Sequence, residues 1–199
     1  MVAIVTHPAF PSIPAGLRVS IPTEAPVTRL ARAAALALAL VPALALAAPQ
    51  RGPSTPAERK RAVELTRKLE KDPLYAGADK DREWLFEWIV AIPDVNVQSC
   101  SGPLDVLVEE PKQHGRQLYA QSVFGMAAFV IQNPKRKDDW VAVQEAGIES
   151  TLRAYQALVA RDPAARRPEL DDLVQAWKQG KLREIVRSDV KCKPDEDAI

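Results

Sequence analysis

Between Thr55 and Cys192 proline cuts the chain into pieces of helical length, at Asp72-Pro73, Pro93 to Pro103, Pro111, Asn133-Pro134 and Asp162-Pro163. Proline lacks an amide hydrogen and clashes with the turn before it, so each of these points ends a helix or begins one. Within the pieces, apolar residues recur at three and four. Val141, Ile148, Leu152, Tyr155 and Val159 keep one helical face at spacings of seven, four, three and four before Asp162, and Leu170, Leu173, Val174 and Trp177 sit at i, i+3, i+4 and i+7 after Pro168. No piece sustains the strict alternation of a half-buried strand, and only Val95 to Val97 would suit a short extended segment. The fold class is therefore all-α: a compact bundle of five or six helices.

Local signals set the boundaries. Thr55-Pro56-Ala57-Glu58 is a capping box with proline at the first helical position, predicting a helix from Pro56 to about Lys71 with Ala62, Leu65 and Leu69 inward. A second helix follows Asp79 and runs to Ala91. Only Glu83 and Glu87 form a polar strip on it, which predicts that neighbours cover most of its circumference. After a short amphipathic turn, Leu104 to Glu110, a helix from Lys112 to Gln132 carries no charge beyond Arg116, as suits a central element. Its Ser122, Gly125, Ala127 and Ala128 are small enough for other helices to come close. Asp138 or Asp139 can cap the next helix, and Gly180 separates the last two. Leu152 to Pro163 resembles the second-helix ending of a tetratricopeptide repeat, and Ala62 to Pro73 is loosely similar. No repeat period of about 34 residues joins the two stretches, and residues 139 to 161 read as one helix, so the resemblance implies no repeat fold.

The N-terminal part reads differently. From Ala33 to Ala48 the chain is almost entirely Ala and Leu, preceded by Arg29 and Arg32 and ending in Ala43-Leu44-Ala45 and Ala45-Leu46-Ala47. A basic n-region, an apolar h-region and a small-x-small site are the parts of a secretory signal, with cleavage expected after Ala47. The apolar run is shorter than the roughly 20 residues that cross a bilayer. Residues 1–26 carry Pro8, Pro11, Pro14, Pro22 and Pro26 and form either a leader or a stretch upstream of a true start at Val19 or Val27. The expected organisation is a leader at 1–26, a signal peptide at 27–47, a linker at 48–54, a helical domain at 55–192 and a disordered acidic tail at 193–199. The product is expected to be exported, periplasmic or extracellular, with no stable membrane anchor after cleavage.

Charge narrows the partners. Basic and acidic side chains number 27 and 26, and loss of residues 1–47 leaves the chain close to neutral. A nucleic-acid binder held by phosphate neutralisation would carry a strong basic excess. In an exported protein Cys100 and Cys192, the two cysteines, are expected to pair, tying the C-terminus to the middle of the chain. Such a long loop closure contributes about 4 kcal/mol in the chain-entropy picture.

Catalytic signals are sparse. His114, the one histidine after Ala47, lies at a helix start, and a single histidine with two cysteines makes a poor metal set, so no metal and no cofactor are expected. Glu109-Glu110, Asp138-Asp139 and Asp171-Asp172 are acid pairs at predicted helix ends, where capping and the helix dipole favour them. A hydrolase using carboxylates alone would need two of these acids to converge. Trp84 and Trp88, four apart, together with Tyr119, are the candidate lining of a ligand or partner groove; the same aromatics also suit a core. Lys135-Arg136-Lys137 is a basic connection able to meet an anion. The expected function is binding of an envelope partner or small ligand, in the manner of a chaperone or inhibitor, rather than catalysis. A structural envelope role without a ligand is the further alternative, and the residues do not specify an oligomeric state.

Overall fold

The computed structural model describes residues 51–109 and 112–192, all within one unit, Ala48–Ile199. The stretches read from the sequence as leader, signal and acidic tail lie outside the described residues. Seven α-helices follow in order: α1 Pro56–Lys71, α2 Ala78–Ala91, α3 Val106–Glu109, α4 Gly115–Gln132, α5 Trp140–Arg161, α6 Pro168–Lys178 and α7 Leu182–Asp189. Six of these match the five or six helices expected, and the four-residue α3 falls within the short amphipathic turn expected from Leu104 to Glu110. Short 3-10 turns at Pro134–Arg136 and Pro163–Ala165 begin at the prolines that end α4 and α5. Among the described residues there is no strand, Val95 to Val97 included; the β-type contact is an isolated bridge between Ser101 and Lys191.

The caps explain the boundaries. Thr55 Oγ1 accepts from the Glu58 amide at 3.2 Å while the Glu58 carboxylate accepts from the Thr55 amide at 2.8 Å, closing the capping box of α1. Asp139, not Asp138, caps α5 by accepting from the Ala142 amide at 3.1 Å. α4 starts at Gly115 rather than Lys112, because His114 takes φ 64°, left-handed backbone that cannot continue a helix. Ser54, in the stretch assigned to a linker, is buried; its amide and hydroxyl each donate to Asp94 at 2.7 Å.

α4 and α5 form the central pair. A Cβ on Gly147 would stand 2.9 Å from the Ser122 carbonyl oxygen, and one on Gly125 would overlap the Ser150 side chain, so these glycines allow the close approach. α1 packs on both central helices. One apolar cluster joins Leu118, Leu152, Tyr155, Leu158, Leu170 and Val186; a second joins Ala62, Leu69, Leu85, Trp88, Phe124 and Val130. A polar seam runs where α1 meets the pair. Buried Glu70 accepts from Ser150 Oγ and Arg67 Nη1, each at 2.7 Å, and faces Arg153 Nε at 3.1 Å, while Gln121 Nε2 donates to Ser150 Oγ at 2.9 Å. A buried carboxylate is tolerable only when paired in this way.

Cys100 and Cys192 form a disulfide across a separation of 92 residues. Beside it Ser101 and Lys191 exchange two backbone hydrogen bonds, of 3.1 and 2.8 Å, so bond and bridge together fasten the end of α7 to the irregular loop before α3.

Candidate functional site

Trp84 and Trp88 stand one helical turn apart on α2 with stacked rings, centroids 5.7 Å apart, and the Arg61 guanidinium lies 4.0 Å over Trp84. Trp88 is 2% exposed within the second cluster, and its Nε1 has no hydrogen-bond partner. Tyr119 packs against the other cluster, its hydroxyl 2.6 Å from Ser99 Oγ. The three aromatics therefore occupy two places. What Tyr119 lines is a cleft beside the disulfide, shared with Ser122, Gln144 and Gly147, of about 20 Å³. That volume holds about one water.

The outer face of α2 departs from expectation. Neighbours were to cover most of this helix, yet Phe86 is 59% exposed and Val90, one turn on, is 54% exposed. The reason is position: α2 lies at the edge of the bundle and buries Ala78, Leu85 and Trp88. Glu83 and Glu87 are exposed on the same helix. Val90 leads into an open groove of about 320 Å³, lined also by Arg51, Ile92, Pro93 and Val95. Composition gave no sign of this surface, since Phe86 and Val90 look like any other members of an apolar run.

His114 lies in a cleft of about 10 Å³ with Arg82, Gln117 and Gln121, its Nε2 4.0 Å from Asp162 Oδ2. The acid pairs serve the caps and nearby bonds. Asp139 caps α5, and the Ala142 amide, with Arg136 beside it, holds its carboxyl below the usual range. Asp171 accepts from the Tyr155 hydroxyl at 2.9 Å in the first turn of α6. Asp139 and Tyr155 mark opposite parts of α5, sixteen residues or about 24 Å of helix apart. The pairs at Asp138-Asp139 and Asp171-Asp172 thus do not share a cleft. Glu109 ends α3, and Glu110 lies outside the described residues.

A second groove, of about 480 Å³, runs between α5 and α6, with Val159 and Val174 below and Gln156, Arg166, Gln175 and Lys178 around it. Arg166 is directed to Asp171 at 3.6 Å. Among the described residues no group of three or more His, Cys, Asp or Glu is placed to hold a metal ion, and no helix is long and apolar enough to cross a membrane. The chain matches no family model, no curated protein and no solved structure.

Proposed function

We propose that this is an exported helical binding protein that engages a protein partner through the outer face of α2. The exposure of Phe86 and Val90, one turn apart, carries the reading. Leaving two large apolar side chains more than half exposed forfeits part of the about 1.5–3 kcal/mol that full burial of each would contribute. A partner that covers them recovers it. The groove at Val90, Ile92, Pro93 and Val95 extends the apolar surface, and Glu83 and Glu87 give it an acidic edge. The fitting partner presents an amphipathic helix with apolar residues on one side and lysine or arginine beside them, as in helix-in-groove recognition. Export rests on the Ala/Leu segment Ala33 to Ala48 and accords with the Cys100–Cys192 disulfide.

The test is a photoreactive phenylalanine analogue at Phe86, compared with the same group at Glu64, an exposed position of α1, in the cell that makes the protein. A discrete adduct at 86 that is absent at 64 and is lost with Val90→Ser supports the reading. Equal labelling at both positions, or none, overturns it.

A further inference from the structure

The turn joining the two central helices presents a second surface of different chemistry. Asn133-Pro134 ends α4, and Pro134 to Asp138 are exposed without interruption. Trp140, the first residue of α5, is 47% exposed and is the largest of the exposed apolar side chains. Lys135, Arg136 and Lys137 precede it in the exposed turn, while α7 brings Arg183 to 3.6 Å from Asp139.

Their charges are not equivalent. Arg136 pairs with Asp139 at 3.1 Å and lies over the Phe129 ring at 5.2 Å, and Arg183 spans Asp139 and Glu145. Lys135, Lys137 and Lys181, the last of them two residues before Arg183, form no ion pair among the described residues. Asp138 is the acid of the turn that is likewise unpaired, while Asp139 already caps the start of α5. The turn therefore offers a broad amphipathic ring close in sequence to unpaired ammonium groups, at the tip of the hairpin formed by the two central helices.

We infer that this tip docks reversibly on an anionic phospholipid surface, with Trp140 seated at the headgroup level and Lys135 and Lys137 against the phosphates. Tryptophan favours that depth because its ring is apolar and its N–H is wet. A basic side chain near an anionic bilayer raises affinity about fivefold. Nucleic acid fits less well, since so few lysines neutralise too few phosphates to hold a duplex against salt. The site is separate from the α2 face and does not depend on it.

The experiment is flotation of the full chain with vesicles of phosphatidylcholine alone and with about one third phosphatidylglycerol, at low and high salt. Three variants accompany it: Trp140→Ala, Lys135→Glu with Lys137→Glu, and Lys135→Arg with Lys137→Arg. The apolar stretch Ala33 to Ala48 is common to all the chains, so differences between them report on the tip. All the substituted positions are exposed, and circular dichroism checks each fold. Preferential, salt-sensitive flotation with the anionic vesicles is expected, reduced about tenfold or more by the Trp140→Ala and glutamate variants and kept by the arginine pair. Equal flotation with both vesicles, variants that float like the wild type, or stronger retention by duplex DNA of similar charge would each overturn the inference.

Discussion

Gly125 of α4 faces Ser150 of α5 so closely that a methyl group on the glycine would occupy the space of the serine side chain. The Ala146 carbonyl oxygen stands 3.0 Å from the same point, so the obstacle includes backbone that cannot swing aside. Ser150 also belongs to the seam of Glu70 and Gln121, and displacing it would loosen two buried hydrogen bonds. Alanine is normally the better helix former by about 1 kcal/mol. Here the order should reverse: Gly125→Ala is expected to destabilise by about 1–3 kcal/mol through overpacking, read as a lower urea midpoint with unchanged slope.

The tryptophan pair separates core from site. Trp88 is almost wholly buried, whereas Trp84 is half-buried beneath Arg61. Trp88→Ala should cost about 3–5 kcal/mol in unfolding free energy. Trp88→Phe should cost clearly less, because it also removes a buried N–H that has no acceptor. Phe86→Ala should leave stability within about 0.5 kcal/mol of the parent, as befits an exposed position. A large loss at Phe86 would place that side chain in the core and remove the basis for the proposed α2 surface.

Much of the fold is legible because its signals are local. The capping box at Thr55, the Asp-Pro and Asn-Pro stops, the small residues of α4 and the turn at Gly180, with φ 71°, each act within a few residues. The surface is less legible for the opposite reason. Whether Phe86 is covered depends on where α1 and α4 end relative to α2, a relation between distant segments. The same holds for Tyr119, whose spacing from Trp88 says nothing about which of two clusters it joins. No local signal in the sequence singles out Glu70 of α1, yet it is buried because Arg67, Arg153 and Ser150 converge on it from two helices.

The disulfide yields a prediction about both compartment and stability. On the proposed export, the intact mass of the product should begin near Ala48, and thiol alkylation should follow only after reduction. Cys100→Ser with Cys192→Ser should lose about 2–4 kcal/mol. Loss of protection at backbone amides should concentrate near Ser101 and Lys191, whose bridge depends on the bond beside it.

Tyr75 and Asp81 set the pH dependence of the α1–α2 junction. The Tyr75 hydroxyl donates to the Asp81 carboxylate, and Lys68 contacts the same carboxylate at 3.2 Å while lying 3.8 Å from the Tyr75 ring centre. Burial, reinforced by Asp81, pushes the Tyr75 phenol well above its ordinary value near 10. The Tyr75 hydrogen bond, aided by Lys68, holds the Asp81 carboxyl below the ordinary value near 4. For Asp94, burial opposes the shift, but the Ser54 amide and hydroxyl prevail and hold it low. A carboxyl depressed in the folded state contributes stability that is present above pH about 4 and is lost as pH falls through the lower folded value. A phenol raised in the folded state contributes stability that is present below pH about 10 and is lost as pH rises through the higher folded value. Stability should accordingly fall on both the acid and the alkaline side. Tyr75→Phe should remove the alkaline loss due to this phenol and let the Asp81 carboxyl rise toward 4, which makes the acid limb shallower. Denaturant unfolding across the pH range, with carboxyl titration of Asp81 by NMR, checks both. An unchanged Asp81 titration in Tyr75→Phe would leave Lys68 as the group that holds it.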